Sequence, residues 1–284
     1  MLVKTTRNIE EFISETGEWT AGNPVGNSIL LTMMAGAKHR PPTAPPINWS
    51  RVEDPDSGAA PVVGVAAFTP PHLVVLSGMP DAAAAALGAG LGTGPDLLPG
   101  VIGPDRAAAA FAAAWSGATG RPARPGRRER VLRLDGPPLP SGRPAPSGQV
   151  RAAEVAETEL FTGWCLEAAH GAGLSRETAR RSVQGQIRGG LLRVWEDGGR
   201  PVAVLGRTAA VAGVVRYNPM YVETGVRRGG YGRALLAEVL TAVHSGDGAP
   251  VGLAVTADGN SAIRTLFESF GFRPSGGLSE YRFD

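Results

Sequence analysis

Between Gly117 and Gly148 proline and glycine interrupt the sequence so often that no periodic pattern survives across it. Arg121-Pro122, Arg124-Pro125-Gly126, Gly136-Pro137-Pro138 and the run from Gly142 to Gly148 each break it. Proline fixes φ and removes a backbone donor, and glycine loses the most freedom on ordering, so clusters of the two mark connections. The break falls near the middle of 284 residues, and each side is long enough to bury its own core. Two domains are therefore expected. One alternating run, Glu129 to Leu134 (ERVLRL), reads as the last strand of the first domain. The expected division is 1–135, a linker at 136–148, and 149–284.

Several classes are excluded by composition. With 43% hydrophobic and 19% charged residues the chain is not expected to be disordered. Its 40 glycines and 24 prolines point to long loops. Lys and Arg number 28 against 26 Asp and Glu, for a net charge of +2, and no polybasic run suggests nucleic acid as a partner. The single cysteine, Cys165, rules out an internal disulfide. The scattered His39, His72, His170 and His244 show no metal-ligand spacing, so no metal is expected. A cytoplasmic protein is expected: Met1 to Thr20 has no continuous apolar core of a signal peptide. No apolar stretch approaches the ~20 residues that span a membrane.

The first half reads as α/β. Pro61 to Phe68 (PVVGVAAF) and Leu73 to Leu76 (LVVL) form an expected hairpin, and Met79 to Leu87 and Pro104 to Trp115 read as helices. Arg40 to Ser57, with five prolines, reads as an irregular loop. The second half reads β-α-α-β-β-β-α-β-α-β. Its strands lie at Gln149 to Ala153, Leu191 to Trp195, Pro201 to Gly206, Val211 to Val222 and Val251 to Thr256, with a terminal strand pair from Gly271 to Phe283. Helices are expected at Glu154 to His170, Ser175 to Arg188, Gly232 to His244 and Asn260 to Phe270.

The informative segment is Arg227-Arg228-Gly229-Gly230-Tyr231-Gly232, which leaves a strand and opens a helix. A helix N-terminus presents unpaired N–H groups and partial positive charge. Glycines let a pyrophosphate approach the backbone, and Arg227, Arg228 and Arg233 add countercharge. The glycines alone fit a tight strand-to-helix turn equally well. The loop lacks the Gly-Lys-Ser/Thr ending of a P-loop, and no parallel βαβ unit surrounds it.

Arg227-x-x-Gly230-x-Gly232 resembles the Arg/Gln-x-x-Gly-x-Gly/Ala signature of the GNAT superfamily of acyl-CoA-dependent N-acetyltransferases. Asn260-Ser261-Ala262-Ile263-Arg264-Thr265-Leu266-Phe267, ending in Gly271-Phe272, resembles a second segment of that family, with Ile263 for a small residue and Phe267 for tyrosine. The resemblance covers Gln149 to Asp284. It implies a mostly antiparallel mixed sheet flanked by helices (α/β, or α+β), with acetyl-CoA as co-substrate. Met220, Tyr221 and Val222 would pair with its pantetheine arm, and Arg227, Arg228, Gly229, Gly230, Tyr231, Gly232 and Arg233 would hold its pyrophosphate. Asn260 and Phe267 would lie near its thiol end. The first half is expected to be a second GNAT-like or other α/β domain. Its glycine-rich Leu87 to Gly94 has no arginine, and no acyl-CoA is expected there.

Phe267 carries no ionisable proton, so the proton donor is sought elsewhere. Tyr217 and Tyr221 are candidates, against a packing role for each, and Glu223 is the candidate base. His244 and His170 read as helix-end residues, Asp258 as a cap or turn residue, and Cys165 as a small apolar side chain. Arg176, Arg180, Arg181 and Arg188 suit either an anionic acceptor or a solvated face. The expected acceptor is a primary amine of a small molecule, a protein N-terminus or a lysine. Binding of acyl-CoA without turnover, or use of another acyl donor, fits the same motifs, and a homodimer through the strand-rich C-terminus is compatible with them.

Overall fold

The structure, a computed structural model, describes residues 1–40, 43–58, 61–94, 98–169, 173–245 and 250–284. It divides into two compact units, one of Met1–Arg130 with Gly276–Asp284 and the other of Val131–Ser275.

The N-terminal unit runs β1 (Leu2–Thr6), α1 (Ile9–Ala21), α2 (Ser28–Ala37), β2 (Asn48–Glu53), β3 (Val62–Phe68), β4 (Val74–Leu76), α3 (Asp81–Gly92), β5 (Gly100–Pro104), α4 (Asp105–Thr119) and the start of β6 (Ala123–Leu134). Strands β1 to β4 pair antiparallel in sequence order, and β4 pairs in parallel with β5. Alternation along β3 sends side chains to opposite faces. Val65 and Ala67 join Phe12, Leu30 and Trp49 under α1 and α2, whereas Ala66 and Phe68 join Leu87, Phe111 and Trp115 under α3 and α4. Helix α1 is started by Asn8, whose side chain accepts from the Glu10 and Glu11 N–H groups.

The C-terminal unit repeats that order: β7 (Gln149–Ala152), α5 (Thr158–Ala169), α6 (Arg176–Arg188), β8 (Leu192–Asp197), β9 (Arg200–Arg207), β10 (Val214–Val222), α7 (Tyr231–His244), β11 (Val251–Ala257), α8 (Ser261–Glu268) and the start of β12 (Arg273–Phe283). Strands β7 to β10 pair antiparallel, and β10 pairs in parallel with β11. Val204 faces α5 and α6, while Ala203 and Leu205 face α7 and α8.

The two last strands are exchanged between the units. β12 pairs antiparallel with β5, Leu278 opposite Pro104 and Arg282 opposite Gly100, and its Phe283 ring stacks on Trp115 at 3.8 Å between centroids. Leu132 and Leu134 of β6 sit in the core under α7 and α8. The expected boundary at 135, with everything after 148 in the second domain, is corrected at both ends: 131–134 belong to the C-terminal unit and 276–284 to the N-terminal one.

Other expectations also change. The supposed loop at 40–57 contains β2, which is buried although polar, because Ser50 bonds Thr5 at 3.0 Å and Arg51 bonds Glu15 and Glu53. β6 runs through Pro125-Gly126, Leu87 to Gly94 lies largely on α3, and the terminal strand pair is the single β12. The expected helix end at His170 lies outside the described residues.

Candidate functional site

Strand β10 carries a one-residue irregularity. Tyr217 lies opposite Arg207 and Met220 opposite Leu205, so three steps along β10 match two along β9, at a cis Asn218-Pro219 bond. An extra residue reverses which face later side chains occupy. Tyr217 and Tyr221, four positions apart, would share a face of a regular strand, yet Tyr217 enters the core under α7 and α8 and Tyr221 the core under α5 and α6.

The parallel pairing of β10 with β11 runs from Val214 to Tyr217, opposite Val251 to Ala254, and stops there. Met220, Tyr221 and Val222 remain paired with β9, so their β11-facing edge is the open one. This is a splay, and α7 begins at its end. The connection makes a short 3-10 turn at Thr224–Val226 and reaches Gly230, whose φ of +89° suits a residue without a Cβ. The first bond into α7 runs from the Ala234 N–H to the Gly230 carbonyl. The amides of Tyr231, Gly232 and Arg233 precede it and are the orphan donors of the helix. Gly232 seats α7 on the strand, since a Cβ there would stand 2.9 Å from Val222 Cγ2. The Tyr231 hydroxyl donates to Asp197 at 2.6 Å, anchoring the loop. That bond holds the Asp197 carboxyl below its ordinary range and raises the Tyr231 phenol.

The three arginines of the loop and helix start are each held differently. Arg227 Nε donates to the Val222 carbonyl at 3.1 Å and its guanidinium lies 5.3 Å from the Tyr221 ring centre. Arg233 donates to the Ser141 carbonyl and lies over Phe270. Arg228, at φ +70°, is exposed in the loop beside Gly229. Asn260 caps α8, accepting from the Ile263 N–H at 3.2 Å, and so takes the role expected of Asp258.

Phe267 is 2% exposed and packs edge-on to Phe272 at 5.0 Å, so the expected cofactor contact is a core ring. Tyr217 is also buried, its hydroxyl 2.8 Å from His244 Nε2. Burial pushes this phenol above its ordinary value and the His244 imidazole below its own. His244 is thus a core residue rather than a helix-end cation. Burial likewise raises the Cys165 thiol. Glu223 lies in the turn, its carboxylate against Gly225. Arg176 and Arg180 both pair with Glu159, and Arg181 pairs with Glu177, which makes this side of α6 a solvated ionic face.

A residue invisible to motif reading completes the site. The Tyr221 hydroxyl donates to the carboxylate of Glu167 on α5, with Thr224 Oγ1 at 3.3 Å. Its ring packs against Trp164, one helical turn before Glu167, at 5.2 Å. Only the fold brings them together. Among the described residues no helix is long and apolar enough to cross a membrane, and no cluster of His, Cys, Asp or Glu could hold a metal.

Each unit carries a mixed sheet with one parallel pair, and in the C-terminal unit that pair splays beside an amide-rich helix start, the arrangement of the GNAT fold. Residues 188–274 match the family profile described as acetyltransferase (GNAT) domain. A GNAT-family acetyltransferase from Colwellia psychrerythraea is similar over 100% of both chains, with 11% identity and a TM-score of 0.58. A GCN5-related N-acetyltransferase from Sphaerobacter thermophilus is similar over 99% of this chain and 94% of its own, at 17% and 0.61. A tandem GNAT protein from the clavulanic acid biosynthesis pathway is similar over 99% and 98%, at 16% and 0.60. No curated protein matches the sequence. The likeness to these structures is one of fold, and residues 188–274 are similar to a GNAT acetyltransferase domain.

Proposed function

We propose that the C-terminal unit transfers an acetyl group from acetyl-CoA directly to a primary amine. The observation that carries this reading is the splay itself: an open strand edge at Met220–Val222 runs into a helix whose first amides precede its first internal bond. The edge supplies hydrogen-bonding groups for the amides of a pantetheine arm, and the Tyr231, Gly232 and Arg233 N–H groups with the loop arginines suit a pyrophosphate. A Cβ at Gly230 would have only Pro146 within 4 Å, at 3.9 Å, which leaves room for such a group. Backbone N–H groups near Val222 would stabilise the tetrahedral oxyanion. Glu167 and Glu223 near the strand end favour a cationic acceptor over an anionic one, and the small-molecule, N-terminal and lysine amines all fit.

Thermal unfolding with and without ligand tests the donor assignment. Acetyl-CoA at about 100 times its dissociation constant should stabilise the protein by about 2.7 kcal/mol. No shift at millimolar acetyl-CoA would overturn the site, and a shift with longer acyl-CoAs alone would change the donor. Release of CoA with a panel of primary amines tests transfer. The buried phenyl ring at Phe267, which cannot donate a proton, favours a second reading: acyl-CoA held without turnover. Amine-dependent CoA release excludes it.

A further inference from the structure

We propose that Tyr221 and Glu167 form a proton relay that removes the proton from the attacking amine, with the Tyr221 oxygen as the group in contact with substrate. The inference rests on the acetyl-transfer reading and adds proton transfer, which that reading assigns to no residue.

Three observations converge. First, the bulge at Asn218-Pro219 places Tyr221, and not Tyr217, on the α5 and α6 side of the sheet, one residue from the end of the splayed edge. Second, the phenol is directed at Glu167, so its proton already lies on the bond to a carboxylate, while the oxygen keeps lone-pair capacity for an incoming N–H. Third, the residue is held rigidly: Trp164 packs on its ring at 5.2 Å and the Arg227 guanidinium lies 5.3 Å from the ring centre. Glu167 itself is exposed, which lets it return a proton to solvent. Among the described residues, the charged groups in contact with Tyr221 are Glu167 from α5 and Arg227 from the loop, with Glu223 in the turn that follows the strand.

The neutral amine nitrogen attacks the thioester carbonyl and an N–C bond forms. Its proton passes to the Tyr221 oxygen as the Tyr221 proton passes to Glu167. The tetrahedral intermediate then breaks its C–S bond, the CoA thiolate takes a proton from solvent, and Glu167 releases its own. A tyrosine bonded to a carboxylate can also be a mere strap holding α5, and that reading predicts no effect on proton transfer.

The experiment compares wild type with Glu167→Gln, Tyr221→Phe and the double variant in amine-dependent CoA release across pH, alongside acetyl-CoA affinity by calorimetry. The amide introduced by Glu167→Gln can still accept the Tyr221 hydrogen bond, and the ring left by Tyr221→Phe retains the packing on Trp164, so folding and donor binding should be kept. Each single variant should lower kcat about 100-fold, with acetyl-CoA affinity within about twofold of wild type. The double variant should be no slower than the singles, because one relay has been removed once. Glu167→Asp, which keeps a carboxylate, should recover part of the rate. Wild-type turnover in Glu167→Gln, no recovery of rate in Glu167→Asp, or multiplying losses in the double variant would overturn the relay alone. Absence of CoA release by the wild type with every amine would overturn acetyl transfer and the relay with it.

Discussion

The two units share element order and strand pairing, with one parallel pair each, yet they treat the connection after that pair's first strand differently. In the N-terminal unit β4 has three residues and reaches α3 through Ser77-Gly78-Met79-Pro80; in the C-terminal unit β10 has nine and is followed by an eight-residue loop rich in arginine and glycine. Asp81 opens α3 and pairs with Arg106 at 2.7 Å. A carboxylate there takes up the positive end of the helix dipole that a pyrophosphate would use. Met79 packs against β3 where a Cβ on Gly64 would stand 2.8 Å away. Leu76, the end of β4, fills the space beside Gly103. The proposed donor site is thus a property of one connection and of a strand long enough to outrun its partner, not of the fold that both units share.

Four outcomes sharpen or break this comparison. The largest is expected from Phe283→Ala. The ring is 9% exposed and stacked on Trp115, so its removal should cost about 3–5 kcal/mol, and hydrogen exchange should show the loss in α4 and β5 of the N-terminal unit. Loss confined to the C-terminal unit would contradict the strand exchange. Next is Gly230→Val, which forces a side chain into positive φ at the amide cradle and should weaken acetyl-CoA binding by about 100-fold, or roughly 2.7 kcal/mol. Gly78→Val, at the matching turn, has open space around its Cβ and should leave affinity unchanged in the same calorimetric titration.

The two asparagine caps come third. Asn8→Ala and Asn260→Ala should each cost about 1 kcal/mol by denaturant unfolding, but only the second should also alter acetyl-CoA affinity. The smallest effect is on pH dependence. Burial depresses the folded-state titration of His244, so the unfolded chain binds the proton more readily and stability falls as pH drops below about 6.5. Burial raises Glu129, against the opposing pull of Arg127. Its contribution is therefore present at low pH and fades as pH rises above the ordinary glutamate value. Between these limits acid should loosen the C-terminal unit and tighten the N-terminal one, as read by hydrogen exchange in each, and His244→Gln should remove the first trend.

Where the sequence was legible, a local rule agreed with the tertiary outcome. The order of the second half follows from apolar alternation and helical spacing, and the loop from Arg227 to Gly232 is visible because glycines and arginines stand together at the start of a helix. β1 and β2 escaped because polar side chains, paired across the two strands, along β2 and with α1, occupy much of both. Thr5 on Ser50, and Arg51 on Glu15 and Glu53, replace the apolar pattern that marks a strand. Among the catalytic candidates, Tyr217 and Tyr221 could not be separated, because the bulge that sends them to opposite faces leaves no periodic trace. Glu167 was missed since nothing along α5 distinguishes it; its meaning comes from Tyr221, 54 residues later.

The exchanged terminal strand also sets a schedule for synthesis. Asp105 bonds Ser279 across 174 residues, and the β5 edge waits for residues 278–282. A nascent chain can collapse around α1 to α4, but its first unit stays one strand short until residues 276–284 have been made. During that interval the unpaired edge of β5 is open to other extended segments, the exposure that makes slow, long-range pairings dependent on chaperones. The first half to be made is thus the last to be finished.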